Sequence, residues 1–274
     1  MSDYDARPLP PLDPTMDASA NHYWSYHSLP VLLACKKPLT ASKDEDLFIA
    51  VHQICEIAFH QMILDLDRAL DAFRTALDQA PDGVCGDVGE TCYFLDRVIA
   101  LWRTVNTTMP ILTSLRAFAE FRTSIGPTSG FQSVQFRRIE IMAGVVNPFW
   151  RGGTADKDGK VHVAETEFDR RHGAEIAGWF DTYRDHSLAA HAATLAGRRA
   201  GRDHAASDAL VDLLIAYERA QEAFHRLHLK LAVVQLKRVG ADVGTGGTPY
   251  RDYLETYSRQ IAPLFPDLVR QSPA

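Results

Sequence analysis

A chain of 274 residues, 46% hydrophobic and 23% charged, can build one large core or two modest domains, and its make-up is that of an ordinary soluble protein. Its net charge of -6 and pI near 6.0 argue against a nucleic-acid surface, which needs clustered Lys and Arg. No basic leader followed by an apolar run opens the chain, no window is read as a membrane span, and Cys35, Cys55, Cys85 and Cys92 lack CxxC spacing, so a cytoplasmic protein with reduced thiols is expected.

Residues 1–20, with Pro8, Pro10, Pro11 and Pro14, read as an extended N-terminal arm, and residues 21–274 as a single domain. Residues 22–39 form an aromatic-rich helical stretch that stops at Pro38. Its Tyr23, Tyr26 and Leu29 share one face, which either packs in the core or lines a pocket. From about 46 to 79, Phe48, Val51, Cys55, Ala58, Met62, Leu66, Leu70, Phe73 and Leu77 recur at steps of three and four and predict a long helix, ended by Pro81-Asp82-Gly83. Phe48, His52 and Glu56 make a stripe beside that seam, where a lone His is either a packed or capping residue or a catalytic one.

Helices over about 88–107 and 110–124 follow, each antiparallel to its predecessor because the connections are short. The second delivers Arg122 after Leu112, Leu115, Phe118 and Phe121, and Gly126-Pro127 stops it. Thr128-Ser129-Gly130 follow, and the chain turns helical again from Phe131 toward Gly144. Arg122 is either a surface cation at an ordinary corner or the grip for a carboxylate, since a guanidinium beside hydroxyls and backbone N–H groups holds one by two parallel hydrogen bonds.

Residues 145–163, with Gly152, Gly153, Gly159 and a charged centre, read as a flexible linker or insertion. Helical texture over 167–184 and 188–199, rich in Ala, Arg and Asp, predicts peripheral helices. The last long helix, about 207–239, aligns Leu210, Leu214, Tyr217, Gln221, Phe224, His228 and Leu231, with His228 central to the apolar stripe and His225 to one side. Such a His either donates to a buried partner or ligates a metal or haem iron. Gly244-Thr245-Gly246-Gly247 lacks the Lys-Ser/Thr of a P-loop and reads as a backbone that folds over a ligand, with Thr245 as a polar contact. A final helix from about 250 ends near Pro263.

Three blocks in this order carry a resemblance: DEDLFIAVHQICEIAFHQ, FRTSIGPTSGFQSVQFRRIE, and GTGG followed by a short helix and Leu264-Phe265-Pro266. They resemble the signature of the tryptophan 2,3-dioxygenase family, haem proteins that oxidise the indole ring of L-tryptophan, and cover about two thirds of the chain. The resemblance implies an all-α fold, a helical bundle with long antiparallel helices around a haem pocket. It implies haem b as cofactor, an aromatic amino acid and dioxygen as small-molecule partners, and a homotetramer whose N-terminal segment completes the neighbour's site, with neither nucleic acid nor membrane as partner.

Carried onto this sequence, the resemblance makes His52 the distal His, with Phe48 packing on the indole and Phe118 and Ile125 completing an apolar pocket. Arg122 grips the substrate carboxylate, Ser129 and Gly130 lie near the haem edge, Thr245 contacts the amino-acid end, and Tyr23 and Tyr26 are lent across subunits. The proximal ligand departs from the pattern. The family carries it nine residues before the Gly that closes the helix, which here is Leu231. His228, one turn earlier on the same face, is the expected ligand, with His225 as the alternative; Leu227-His228-Leu229 and GTGG-Thr248 are similar to the related indoleamine 2,3-dioxygenases.

The implied reaction inserts dioxygen across the indole C2–C3 bond and gives N-formylkynurenine. The alternative is a monooxygenase of the same superfamily, forming a 2-oxindole from tryptophan or methyltryptophan or hydroxylating tyrosine in secondary metabolism. Outside enzymes, the competing readings are a non-catalytic haem-binding helical protein and a structural helical oligomer without haem.

Overall fold

The longest apolar periodicity in the sequence becomes the central element. The computed structural model describes residues 19, 21–81, 83–124, 133–145, 153–155, 161–163, 167–240 and 263–269. In it, α3 (Glu45–Asp78) runs unbroken through the predicted span, and its seam of Val51, Cys55, Ala58, Met62, Leu66, Leu70, Phe73 and Leu77 is buried. Each large side chain removed from water in this way contributes roughly 1.5–3 kcal/mol. By length and composition α3 is apolar enough to cross a membrane, contrary to expectation. Its apolar face is instead spent on neighbouring helices, and Asp65, wholly buried, sits between Arg68 at 2.9 Å and Arg97 at 3.2 Å.

Helix α4 (Gly89–Thr108) returns along α3: Phe59 meets Trp102, Asp65 meets Arg97, and Arg68 lies over Phe94. The reversed order of those pairs fixes the antiparallel sense. Helix α9 (Ala205–Arg238) runs antiparallel to α4 in turn, with Phe224 beside Trp102 and the Ala220 carbonyl accepting from the Asn106 amide. The short α6 (Val134–Ala143) sits against α3 through Gln135, whose amide donates to the Glu56 carbonyl at 2.9 Å and to its carboxylate at 2.8 Å. The architecture is all-α, as expected, with one small addition: β1 (Gly153–Ala155) and β2 (Val161–Val163) pair antiparallel within the segment read as a linker.

Three expectations need correction. The stretch 22–39 is two helices, α1 (His22–Tyr26) and α2 (Leu29–Ala34), parted at Ser28 with φ 52°. Tyr23 and Tyr26 are 66% and 85% exposed, so they do not pack in the core. The predicted helix 110–124 is a 3-10 helix (Met109–Ser114), an extended corner at Leu115, and the single turn α5 (Phe118–Phe121). Pro110 sets the entry of the 3-10 turn, and Gln235 and Arg238 of α9 donate to the carbonyls of Leu112, Thr113 and Leu115, holding the corner open.

Finally, α8 (Leu188–Arg199) is not peripheral: Leu188, Ala192, Leu195 and Ala196 belong to the core, as does Ile176 of α7 (Glu167–Tyr183). Small residues there permit close approach rather than mark a surface. From α8 and its exit, Arg198 donates to the carbonyls of Leu77 and Ala80 at 2.7 and 3.1 Å, and Arg202 to that of Gly83 at 3.0 Å, satisfying the end of α3. All four cysteines are free thiols, as expected.

Candidate active site

The first turns of α3 and the single turn α5 bring Phe48, His52 and Phe118 together. Phe48 sits on the first turn of α3, and its ring is 4.2 Å from that of His52, one turn on. Phe118 and Phe121 of α5 close the other side of Phe48, at 6.0 and 5.4 Å. The result is an aromatic wall beside a single imidazole. His52 Nδ1 is 2.7 Å from the Phe48 carbonyl oxygen. A carbonyl only accepts, so Nδ1 carries the proton, and in the neutral ring Nε2 keeps its lone pair. Burial pushes the His52 pKa below its ordinary value, and the Phe48 carbonyl and Glu56 oppose that only in part, so the neutral form prevails at pH 7.

On α9, His228 is stacked on Phe224, with centroids 6.0 Å apart and planes within 5°. Phe224 is itself enclosed by Phe59, Trp102 and Phe136. Burial above all, and then the neighbouring His52 and Arg137, push the His228 pKa down to about 4. His225, the alternative ligand, lies in a different setting: its Nε2 is 3.6 Å from Glu140 Oε1, and burial beside Arg137 pushes its pKa down to about 3. Leu231, where the family pattern puts the ligand, is partly buried and packed on the core.

Arg122 stands at the C-cap of α5, partly buried, with its backbone N–H donating to the Phe118 carbonyl at 3.0 Å. Tyr23 and Tyr26 lie apart, each edge-on to His27. Ile125, Ser129, Gly130 and Thr245 lie outside the described residues, as do the arm up to Ala18 and most of the predicted final helix. Phe265 is buried, and Pro266–Val269 is a short helix.

Sequence reasoning missed the support beneath these residues. Arg137 and Glu140, both 3% exposed, form an ion pair on α6 beside His225. Their i, i+3 spacing inside an apolar helix was the available signal. Gln135, seen only as part of a helical stripe, turns out to staple α6 to α3, with its amide oxygen also 3.1 Å from His60 Nδ1.

The family model described as tryptophan 2,3-dioxygenase matches residues 13–151, which include α3, α5 and α6. A tryptophan 2,3-dioxygenase of Anaeromyxobacter sp. (strain K) is 30% identical over 279 residues, covering 93% of this chain and 97% of the relative. The chain belongs to the tryptophan 2,3-dioxygenase family. Other members of similar extent are those of Anaeromyxobacter dehalogenans (strain 2CP-C), 30% identical over 93% of this chain and 97% of the relative, and of Herpetosiphon aurantiacus, 26% identical over 90% and 95%. The family-matched segment contains Phe48, His52 and Arg122. The α9 histidines lie beyond that segment.

Proposed function

We propose that this protein is a haem-dependent tryptophan oxygenase that adds both atoms of dioxygen across the indole C2–C3 bond of L-tryptophan and forms N-formylkynurenine. The observation that carries the reading is the aromatic wall of Phe48, Phe118 and Phe121 beside His52, whose Nδ1 is tied to the Phe48 carbonyl and whose Nε2 is left for a ligand. Relatives named tryptophan 2,3-dioxygenase over nearly the whole chain length support it.

The residues fit haem. An imidazole must be neutral to ligate iron, and burial keeps His228 so; Phe224 fixes its ring plane. His228 would hold the iron, because the outer nitrogen of His225 already faces Glu140. Haem b, when bound, supplies the activation of dioxygen. The protein's own part is positioning. Phe48 and Phe118 wall the indole and exclude water, a role the family resemblance extends to Ile125, and Nε2 of His52 accepts the indole N–H or holds a proton there. Arg122 grips the carboxylate, and the family resemblance assigns Thr245 to the amino-acid end and Ser129 and Gly130 to the oxygen side. Tyr23 and Tyr26, exposed on their own subunit, serve a neighbour in a cytoplasmic homotetramer.

The test is mass spectrometry of the product made from L-tryptophan by haem-loaded, reduced protein under labelled dioxygen. Two labelled oxygens in N-formylkynurenine are expected. One labelled oxygen, or none, overturns the dioxygenase reading.

A further inference from the structure

At the N-terminus of α3 three consecutive acids do three different jobs. Glu45, 1% exposed, accepts from the backbone N–H groups of Leu39 and Thr40 at 2.7 Å each and holds the incoming loop. Asp46 pairs with Lys36 at 3.4 Å. Asp44 occupies the N-cap, where an aspartate ordinarily accepts from the N–H groups of its own helix, yet it makes no such bond. Its Oδ2 instead reaches across the fold and accepts from the backbone N–H of Arg116 at 2.5 Å and of Ala117 at 2.6 Å. These are the two residues that lead into α5.

That destination matters because α5 cannot orient itself. It is a single turn of four residues whose N-cap, Ala117, supplies no capping side chain, and one turn alone is far below the length at which a helix holds its own shape. Its direction is set from outside. Asp44 grips its entry, while Phe48, one turn along α3 from Asp44, meets Phe118 and Phe121 of its body. Arg122 leaves α5 at its C-cap with a backbone bond back to Phe118. The first turn of α3 therefore holds α5 at two points, and the next turn carries His52.

We infer that Asp44 is a positioning residue for Arg122: its carboxylate fixes the entry of α5 so that the guanidinium lies at a set distance from Phe48 and His52. The inference rests on the reading that Arg122 grips the substrate carboxylate. The test measures equilibrium binding to the haem-loaded full chain by calorimetry, with L-tryptophan and with tryptamine, which has the same indole and amine but no carboxylate. Asp44→Ala is expected to weaken L-tryptophan by about ten-fold or more while tryptamine changes by less than about two-fold. Asp44→Asn, which keeps an oxygen acceptor without the charge, is expected to lose less. In the double variant with Arg122→Leu, the loss should not exceed that of Arg122→Leu alone, as for two residues acting through one contact.

Equal weakening of both ligands, or unchanged L-tryptophan affinity, in Asp44→Ala overturns the inference. If Asp44→Ala does not fold, the same two outcomes in Asp44→Asn decide it. An Arg122→Leu variant that weakens both ligands alike refutes the carboxylate reading itself, which separates the two failures.

Discussion

Replacing Phe224 by Ala tests the link between core packing and the site. The side chain is 7% exposed and touches the rings of Phe59, Trp102, Phe136 and His228 at centroid distances of 5.9, 5.4, 5.0 and 6.0 Å. A Phe→Ala cavity in such a core costs about 3–5 kcal/mol. The close aromatic neighbours put this site at the upper end, since each well-placed pair adds roughly 0.5–1.5 kcal/mol beyond its area. The control is Phe73→Ala, equally buried but about 30 Å along α3 from His52 at 1.5 Å per residue. Urea unfolding gives both stabilities, and titration with haem gives both affinities. The two variants should lose similar stability, but Phe224→Ala should also lose haem affinity by about ten-fold or more, the range seen when a partner that orients a metal ligand is removed. Equal haem affinity in the two cavities would refute the argument that Phe224 sets the His228 ring.

His228→Ala is expected to lose the haem absorption band on reconstitution while His225→Ala retains it; the opposite pattern would make His225 the ligand and Glu140 its orienting partner. Away from the site, His191 is 6% exposed against the Phe73 ring, with its Nε2 2.9 Å from His186 Nδ1, and burial together with His186 and Arg74 pushes its pKa down to about 4 against the pull of Asp78 and Asp71. Because the folded value lies below the ordinary 6.5, the unfolded chain takes up the proton first as pH falls, so stability present above about 6.5 is lost toward 4, up to roughly 3 kcal/mol. The stability difference between wild type and His191→Leu should therefore shift in favour of the variant between about pH 7 and about pH 5. An unchanged difference at the two pH values would exclude His191 as a source of the acid sensitivity.

The parts of the fold that repeat along one helix were legible in the sequence. Phe48 to Leu77 and Leu210 to His228 state their periods plainly, and both long helices lie within two residues of the predicted ends. What stayed hidden depends on pairs far apart in the chain. Nothing local marks the corner at Leu115, which is held by Gln235 and Arg238 more than a hundred residues later. The burial of α8 was masked because Ala192 and Ala196 carry little hydrophobic weight, although they let neighbouring backbones approach closely. At the site, His52 and Arg122 stood out through their motifs, whereas Asp44 and Gln135 looked like ordinary helix residues. Their roles lie in partners 72 to 79 positions away.

The arginines that finish α3 bear on how the chain must come together during synthesis. The carbonyls of Leu77, Ala80 and Gly83 wait for Arg198 and Arg202, and α3 has no basic residue of its own in its last turn. The N-terminal half, which holds the family-matched residues 13–151, therefore emerges with its longest helix unfinished. A fragment cut after that half would fray from Leu77 backwards and expose Phe73. The far end of α3 therefore closes only once α8 has docked.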